Sequence, residues 1–85
     1  MTQLIAHYRI ADFARFRTLF DADAEDRANA GLGLLQLWRE SEADAWALFE
    51  IADAARARDW LGGAAGVFHS QAGVLATEFH FVETV

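Results

Sequence analysis

The chain opens on an alternating run. In "LIAHYRI", residues 4–10, Leu4, Ala6, Tyr8 and Ile10 fall on one face of a strand, and Ile5, His7 and Arg9 fall on the other. A first strand is predicted over residues 3–10. From residue 11 the period becomes helical. Phe13, Phe16, Phe20, Ala24 and Arg27 recur at helix spacing, and Leu19 widens the stripe. Asp12 is a natural N-cap and Gly31 a natural stop, so the spacing predicts a helix within residues 11–31. Its acidic residues Asp21, Asp23, Glu25 and Asp26 read as a solvated outer face. "LGLLQLWRE" (32–40) and "AWALFEI" (45–51), joined by the polar "SEAD", read as a hairpin. Asp53 caps a second helix, "AARARDWL". Gly62, Gly63 and Gly66 each weaken a helix by about 1 kcal/mol relative to Ala, which predicts a break and then a short helical piece to about Gln71. "VLATEFHFVET", residues 74–84, is the last strand. No linker or repeat interrupts residues 1–85, which are expected to form a single domain.

The order βαββαβ specifies an α+β fold on the ferredoxin-like plan: a four-stranded antiparallel sheet with both helices on one face. The first strand should then lie between the third and the fourth. Strict alternation sorts each strand into two sets. The helix-facing set is Leu4, Ala6, Tyr8, Ile10, Leu35, Leu37, Ala47, Phe49, Ile51, Leu75, Phe79 and Phe81. The helix-free set is Ile5, His7, Arg9, Leu34, Gln36, Trp38, Glu40, Trp46, Leu48, Glu50, Val74, Ala76, Glu78, His80 and Val82. A hairpin centred on residues 42–43 would set Trp38 opposite Trp46 and Leu34 opposite Glu50. Two indoles among aliphatic residues make a large apolar patch, and such patches mark a partner or a ligand. The polar residues among them need pairing if the patch is covered. A second copy of the same sheet, packed so that a chamber remains, satisfies both requirements.

Composition narrows the chemistry. Hydrophobic residues make up 54% of the 85, more than so small an interior can hold, which again suggests a partner chain. The formal charge of -6 disfavours nucleic acid and anionic membranes as partners. No run is long and apolar enough to span a bilayer, and the N-terminus has no signal-peptide pattern, so a cytoplasmic location is expected. Cys is absent, which excludes thiolate nucleophiles, disulfides and zinc–thiolate sites. Lys is absent too, which excludes Schiff-base chemistry. Neither Ser41 nor Ser70 sits in a nucleophile elbow, and no phosphate loop occurs.

Several stretches carry a resemblance: "IADFARFRTLFD" (10–21), Arg27 followed by Ala30-Gly31, "LFEIADAARARDWL" (48–61) and "AGV" (72–74). With these the chain resembles the dimeric α+β barrel superfamily, and among its members small bacterial proteins related to antibiotic-biosynthesis monooxygenases and cofactor-free polyketide cyclases. The resemblance implies a homodimer joined through the helix-free sheet face, with a pocket inside the barrel or between sheet and helices. It also implies a small cofactor-independent enzyme of the monooxygenase or cyclase type acting on an aromatic or polyketide-like molecule. No haem or other cofactor is implied. Because this fold hosts many activities, a non-catalytic structural or ligand-binding homodimer is the alternative.

The candidate catalytic residues are His7, Glu50 and His80, because a carboxylate beside an imidazole orients it as a base near neutral pH. Arg9 and Glu78 are candidate substrate contacts, Arg9 for an enolate or carboxylate. Trp38 and Trp46 are candidates to stack on a planar ring. The competing reading is that all of these make hydrogen bonds and ion pairs between subunits. His7, His80 and a carboxylate could in principle bind zinc or iron, but nothing in the spacing singles out a metal site, and none is expected. His69 reads as a surface or capping residue. Trp60 reads as core packing or, more sharply, as the lining of a pocket mouth beside the "GGAAG" stretch.

Overall fold

A computed structural model describes Met1–Val85. The elements run β1 (Thr2–Ile10), α1 (Phe13–Ala22), α2 (Ala24–Asn29), β2 (Leu32–Ser41), β3 (Asp44–Ile51), α3 (Ala54–Gly62), α4 (Ala65–Gln71) and β4 (Val74–Glu83). The four strands form one antiparallel sheet in the order β2-β3-β1-β4, so β1 lies between β3 and β4 as the ferredoxin-like plan requires. The helices cover one face.

Asp12 caps α1 by accepting from the Ala14 amide, and Asp53 caps α3 by accepting from the Arg56 amide. Gly31 ends the first helical region with φ +86, a conformation that disfavours any residue with a Cβ. The helix expected over residues 11–31 is broken at Asp23, which closes α1 and opens α2. The break turns Ala24 outward and buries Arg27. It also turns Asp23 inward: its side chain is only 14% exposed, so it does not belong to the solvated face formed by Asp21, Glu25 and Asp26. The glycine break after α3 falls where the sequence places it.

The core lies between sheet and helices. Leu4, Ile10, Phe16, Phe20 and Phe49 are its largest fully buried side chains. Each stabilises the fold by about 1.5–3 kcal/mol through burial. Tyr8 sits among rings, its centroid 5.2 Å from that of Phe16 and 6.1 Å from those of Phe20, Phe79 and His69. Half-buried His69 therefore packs on the core side, and burial holds its pKa below the ordinary imidazole value. It is not a surface cap.

Three register shifts interrupt the sheet, on β2 after Leu34 and after Arg39 and on β4 opposite Arg9 and Ile10, and the first and last change expected faces. On β2 the register passes from Leu34↔Phe49 to Gln36↔Leu48, leaving Leu35 as the extra residue. Leu34 therefore faces Phe49 rather than Glu50, whose partner is Gly33. Leu35 is 48% exposed instead of buried. On β4 the register slips between Arg9 and Ile10, so Val74 pairs with Ile10 and packs against the core, while Leu75 is exposed. Expected positions for Leu34, Leu35, Val74 and Leu75 are thus corrected, and the remaining strand residues keep their faces. No helix is long and apolar enough to cross a membrane.

Candidate functional site

On the helix-free face the register collects most of the residues picked out by the sequence. His7 stands opposite Trp46 on β3 and opposite Glu78 on β4, with His80 opposite Ile5. The His7 ring stacks on the Trp46 indole at 4.1 Å and 10°. Trp46 Nε1 donates to Glu40 Oε1 at 2.6 Å. Trp38 pairs with Trp46 across the hairpin, as expected, and is exposed. His7 Nδ1 lies 3.7 Å from Glu78 Oε2, and His80 Nε2 lies 3.7 Å from Glu78 Oε1. Glu78 therefore lies between the two imidazoles, beyond hydrogen-bond distance of either. Glu50 does not join them. It pairs with Gln3 and Gly33, four residues along β3 from Trp46, or roughly 13 Å at strand spacing. It borders a separate hollow with Gly31 and Gly33. The expected His7–Glu50 pairing is corrected accordingly.

The carboxylate that does hold His7 went unnoticed in the sequence. His7 Nε2 lies 2.9 Å from Asp44 Oδ1, at the start of β3. Ser41 Oγ donates to Asp44 Oδ2 at 3.0 Å and itself accepts from the Ala43 amide. The hydrogen bond to His7, then that from Ser41, hold the Asp44 carboxyl below its ordinary pKa. The only signal for Asp44 was its position, last in "SEAD" and opposite Arg9. Arg9 is exposed and borders, with His7 and Glu78, a hollow of only about 40 Å³. No three His, Asp or Glu side chains converge as a metal-ligand cluster.

The roomiest concavity lies on the other side of the molecule, between the α1–α2 pair and the α3–α4 pair. It is a groove of about 570 Å³ walled by Leu19, Asp23, Arg56, Trp60, Phe68 and Gln71, among others. Trp60 takes the sharper of its two expected roles, lining the groove while also touching the core. Beside the groove, the Arg27 guanidinium lies 3.7 Å over the Phe20 ring, and its Nη1 donates to the Phe20 carbonyl at 2.6 Å. Arg27 Nη1 is also 3.8 Å from Asp23 Oδ2, a buried oxygen with no hydrogen bond. Burial raises the pKa of the Asp23 carboxyl; Arg27 opposes that shift and Asp26 adds to it. The groove is thus the roomiest concavity of the molecule, with a largely buried carboxylate along its wall.

Solved structures of known proteins share this fold. SnoaB, a cofactor-independent oxygenase from Streptomyces nogalater, superposes with a TM-score of 0.69 at 14% identity, covering 99% of this chain and 92% of that one. A candidate antibiotic-biosynthesis monooxygenase from Deinococcus radiodurans gives 0.71 at 11% identity, covering 100% and 93%. An uncharacterised NIPSNAP domain protein from Burkholderia xenovorans gives 0.67 at 14% identity, covering 100% and 95%. The chain therefore has the ferredoxin-like α+β fold that these solved structures share. No protein-family model matches the sequence, and no curated protein matches it.

Proposed function

We propose that this chain is a small cofactor-independent enzyme of the oxygenase or cyclase type. In this reading it binds a planar aromatic or polyketide-like molecule in the inter-helix groove and pairs with a second copy through the helix-free sheet face. The observation that carries the reading is the groove itself: about 570 Å³, with an indole and a phenyl ring on walls that also carry Asp26, Asn29, Arg56 and Gln71. Its size and lining suit a flat substrate of several rings, and its fold is shared with a cofactor-independent oxygenase. In such a reaction the substrate supplies the electrons, so the protein has to shape a dry chamber and accept or hold a proton. His7, Arg9, Glu78 and His80, with Trp38 and Trp46, then serve chiefly the contact between subunits.

The test is oxygen uptake with anthrone, which takes up one O₂ and yields anthraquinone and one water. Enzyme-dependent uptake that disappears in Trp60→Ala but persists in His80→Ala supports the assignment. Uptake equal to the uncatalysed rate, with anthrone still bound, supports a second reading, a ligand-binding dimer without catalysis. One observation favours that alternative: His7, the strongest base candidate, is on the face opposite the groove and its Nε2 is engaged by Asp44.

A further inference from the structure

The helix-free sheet face carries a surplus of negative charge. Glu40, Asp44, Glu50 and Glu78 stand on it against a single guanidinium, that of Arg9. The other arginines belong to the helices or, for Arg39, lean over Phe13 of α1. His7 and His80 are the groups of this face that can gain a positive charge near neutral pH. Charged groups surround His7 from every strand of the sheet. Asp44 lies on β3 at 2.9 Å, Glu78 on β4 at 3.7 Å, and Arg9 two residues along β1. From β2, Glu40 accepts from the Trp46 indole on which His7 stacks. His80 has Glu78 at 3.7 Å and apolar Ile5 opposite it on β1.

We infer that two copies pairing through this face take up protons at His7 and His80, so that self-association tightens as the medium becomes mildly acidic. This rests on the sheet-face pairing proposed above and adds its regulation. Each copy brings four carboxylates and one guanidinium to the contact. Like charges brought together where water is scarce repel, and protonated imidazoles offset that repulsion. A protonated imidazole also carries two N–H donors in place of one, so His7 can serve Asp44 and Glu78 together. Asp44 stays ionised meanwhile, because the hydrogen bonds from His7 and Ser41 hold its pKa down. Burial alone disfavours a charged imidazole, but each ring here has a carboxylate within 4 Å to oppose that cost. Ile5, Trp38, Trp46 and Leu48 supply apolar attraction at every pH; the imidazoles set how strongly it is opposed. The sign follows from linkage, since the state that holds more protons gains as pH falls.

The test is sedimentation equilibrium of the full chain at constant ionic strength, at about pH 8 and about pH 6. The dimer dissociation constant should be about tenfold lower at the acid end. The net charge of the whole chain shrinks over the same interval, so the control is the double variant His7→Gln, His80→Gln, in which the difference should fall to about twofold or less. A second measurement needs no variant: dilution calorimetry of wild type in two buffers of different ionisation enthalpy counts the protons released when the dimer dissociates. Proton release near neutral pH supports the inference. A dissociation constant that is the same at both pH values, with no protons released, would overturn it and leave the pairing intact. Tightening that survives in the double variant would move the effect to the carboxylates and overturn the role of the imidazoles. A monomer at every pH would remove the pairing, and its regulation with it.

Discussion

The two faces of the molecule handle polar groups in opposite ways. On the helix-free sheet face the side chains satisfy one another: His7 with Asp44, Asp44 with Ser41, and Trp46 with Glu40, while Glu78 lies near both imidazoles. Little space is left among them, the one hollow at His7 being about 40 Å³. In the inter-helix groove there is space, about 570 Å³, and the most deeply placed carboxylate oxygen has no donor. A network that already satisfies itself suits an interface. A roomy groove with an indole on its wall suits a ligand. Residue type alone would have pointed to the first face, because histidines, tryptophans and glutamates look like chemistry wherever they cluster.

The contrast can be broken at several points. The largest effect is expected beside the groove. Replacing Arg27 with Met leaves Asp23 without its ionic neighbour and should cost about 3–5 kcal/mol at neutral pH in urea unfolding. Because the folded-state pKa of Asp23 is raised, its ionised form opposes folding above that pKa. The variant should therefore regain stability on mild acidification, as pH falls through the raised value. Constant destabilisation across pH would show that the Arg27 stem, not the charge pair, matters.

On the sheet face, Leu48→Glu should weaken self-association about a hundredfold, roughly 2.7 kcal/mol, in sedimentation equilibrium, while the monomer keeps its helical circular dichroism. An unchanged mass at micromolar concentration would argue against this face as the contact. Trp46→Ala removes the ring on which His7 stacks and the cross-strand partner of Trp38, and should cost roughly 0.2–1 kcal/mol from the cross-strand pair. Asp44→Asn should be the mildest change. The pKa of Asp44 is held down, so its stabilising contribution is present above the ordinary carboxylate value and is lost as pH falls through the lowered one. Wild type and variant should differ at neutral pH and converge in acid. A difference that persists in acid would mean that the hydrogen bond to His7 is not the source.

Most of the fold could be read from residue order, because burial imposes a period. The alternation of Leu4, Ala6, Tyr8 and Ile10, the helical recurrence of Phe16 and Phe20, and the stop at Gly31 each reflect one local constraint. The βαββαβ order then determines the central place of β1 and the Trp38–Trp46 pair. Leu35 and Leu75 were misplaced because a bulge adds one residue without changing composition, and Leu34 and Val74 beside them shift face with it. Glu50 was misplaced differently: its face was right, but it lies too far along its strand to reach His7. Asp44 and Asp23 were missed because an acidic residue in a polar turn or an acidic run reads as solvated. In the folded chain, one is held by a cross-strand imidazole and the other is turned inward by a helix break.

The three indoles distribute themselves between the two faces, Trp38 and Trp46 on the sheet and Trp60 in the groove, so a single titration followed at their N–H signals reads both at once. With 2-naphthol, the Trp60 signal should shift and saturate while those of Trp38 and Trp46 stay in place. If Trp38 and Trp46 move and Trp60 does not, the ligand belongs on the sheet face, and the roles assigned to the two sides are reversed.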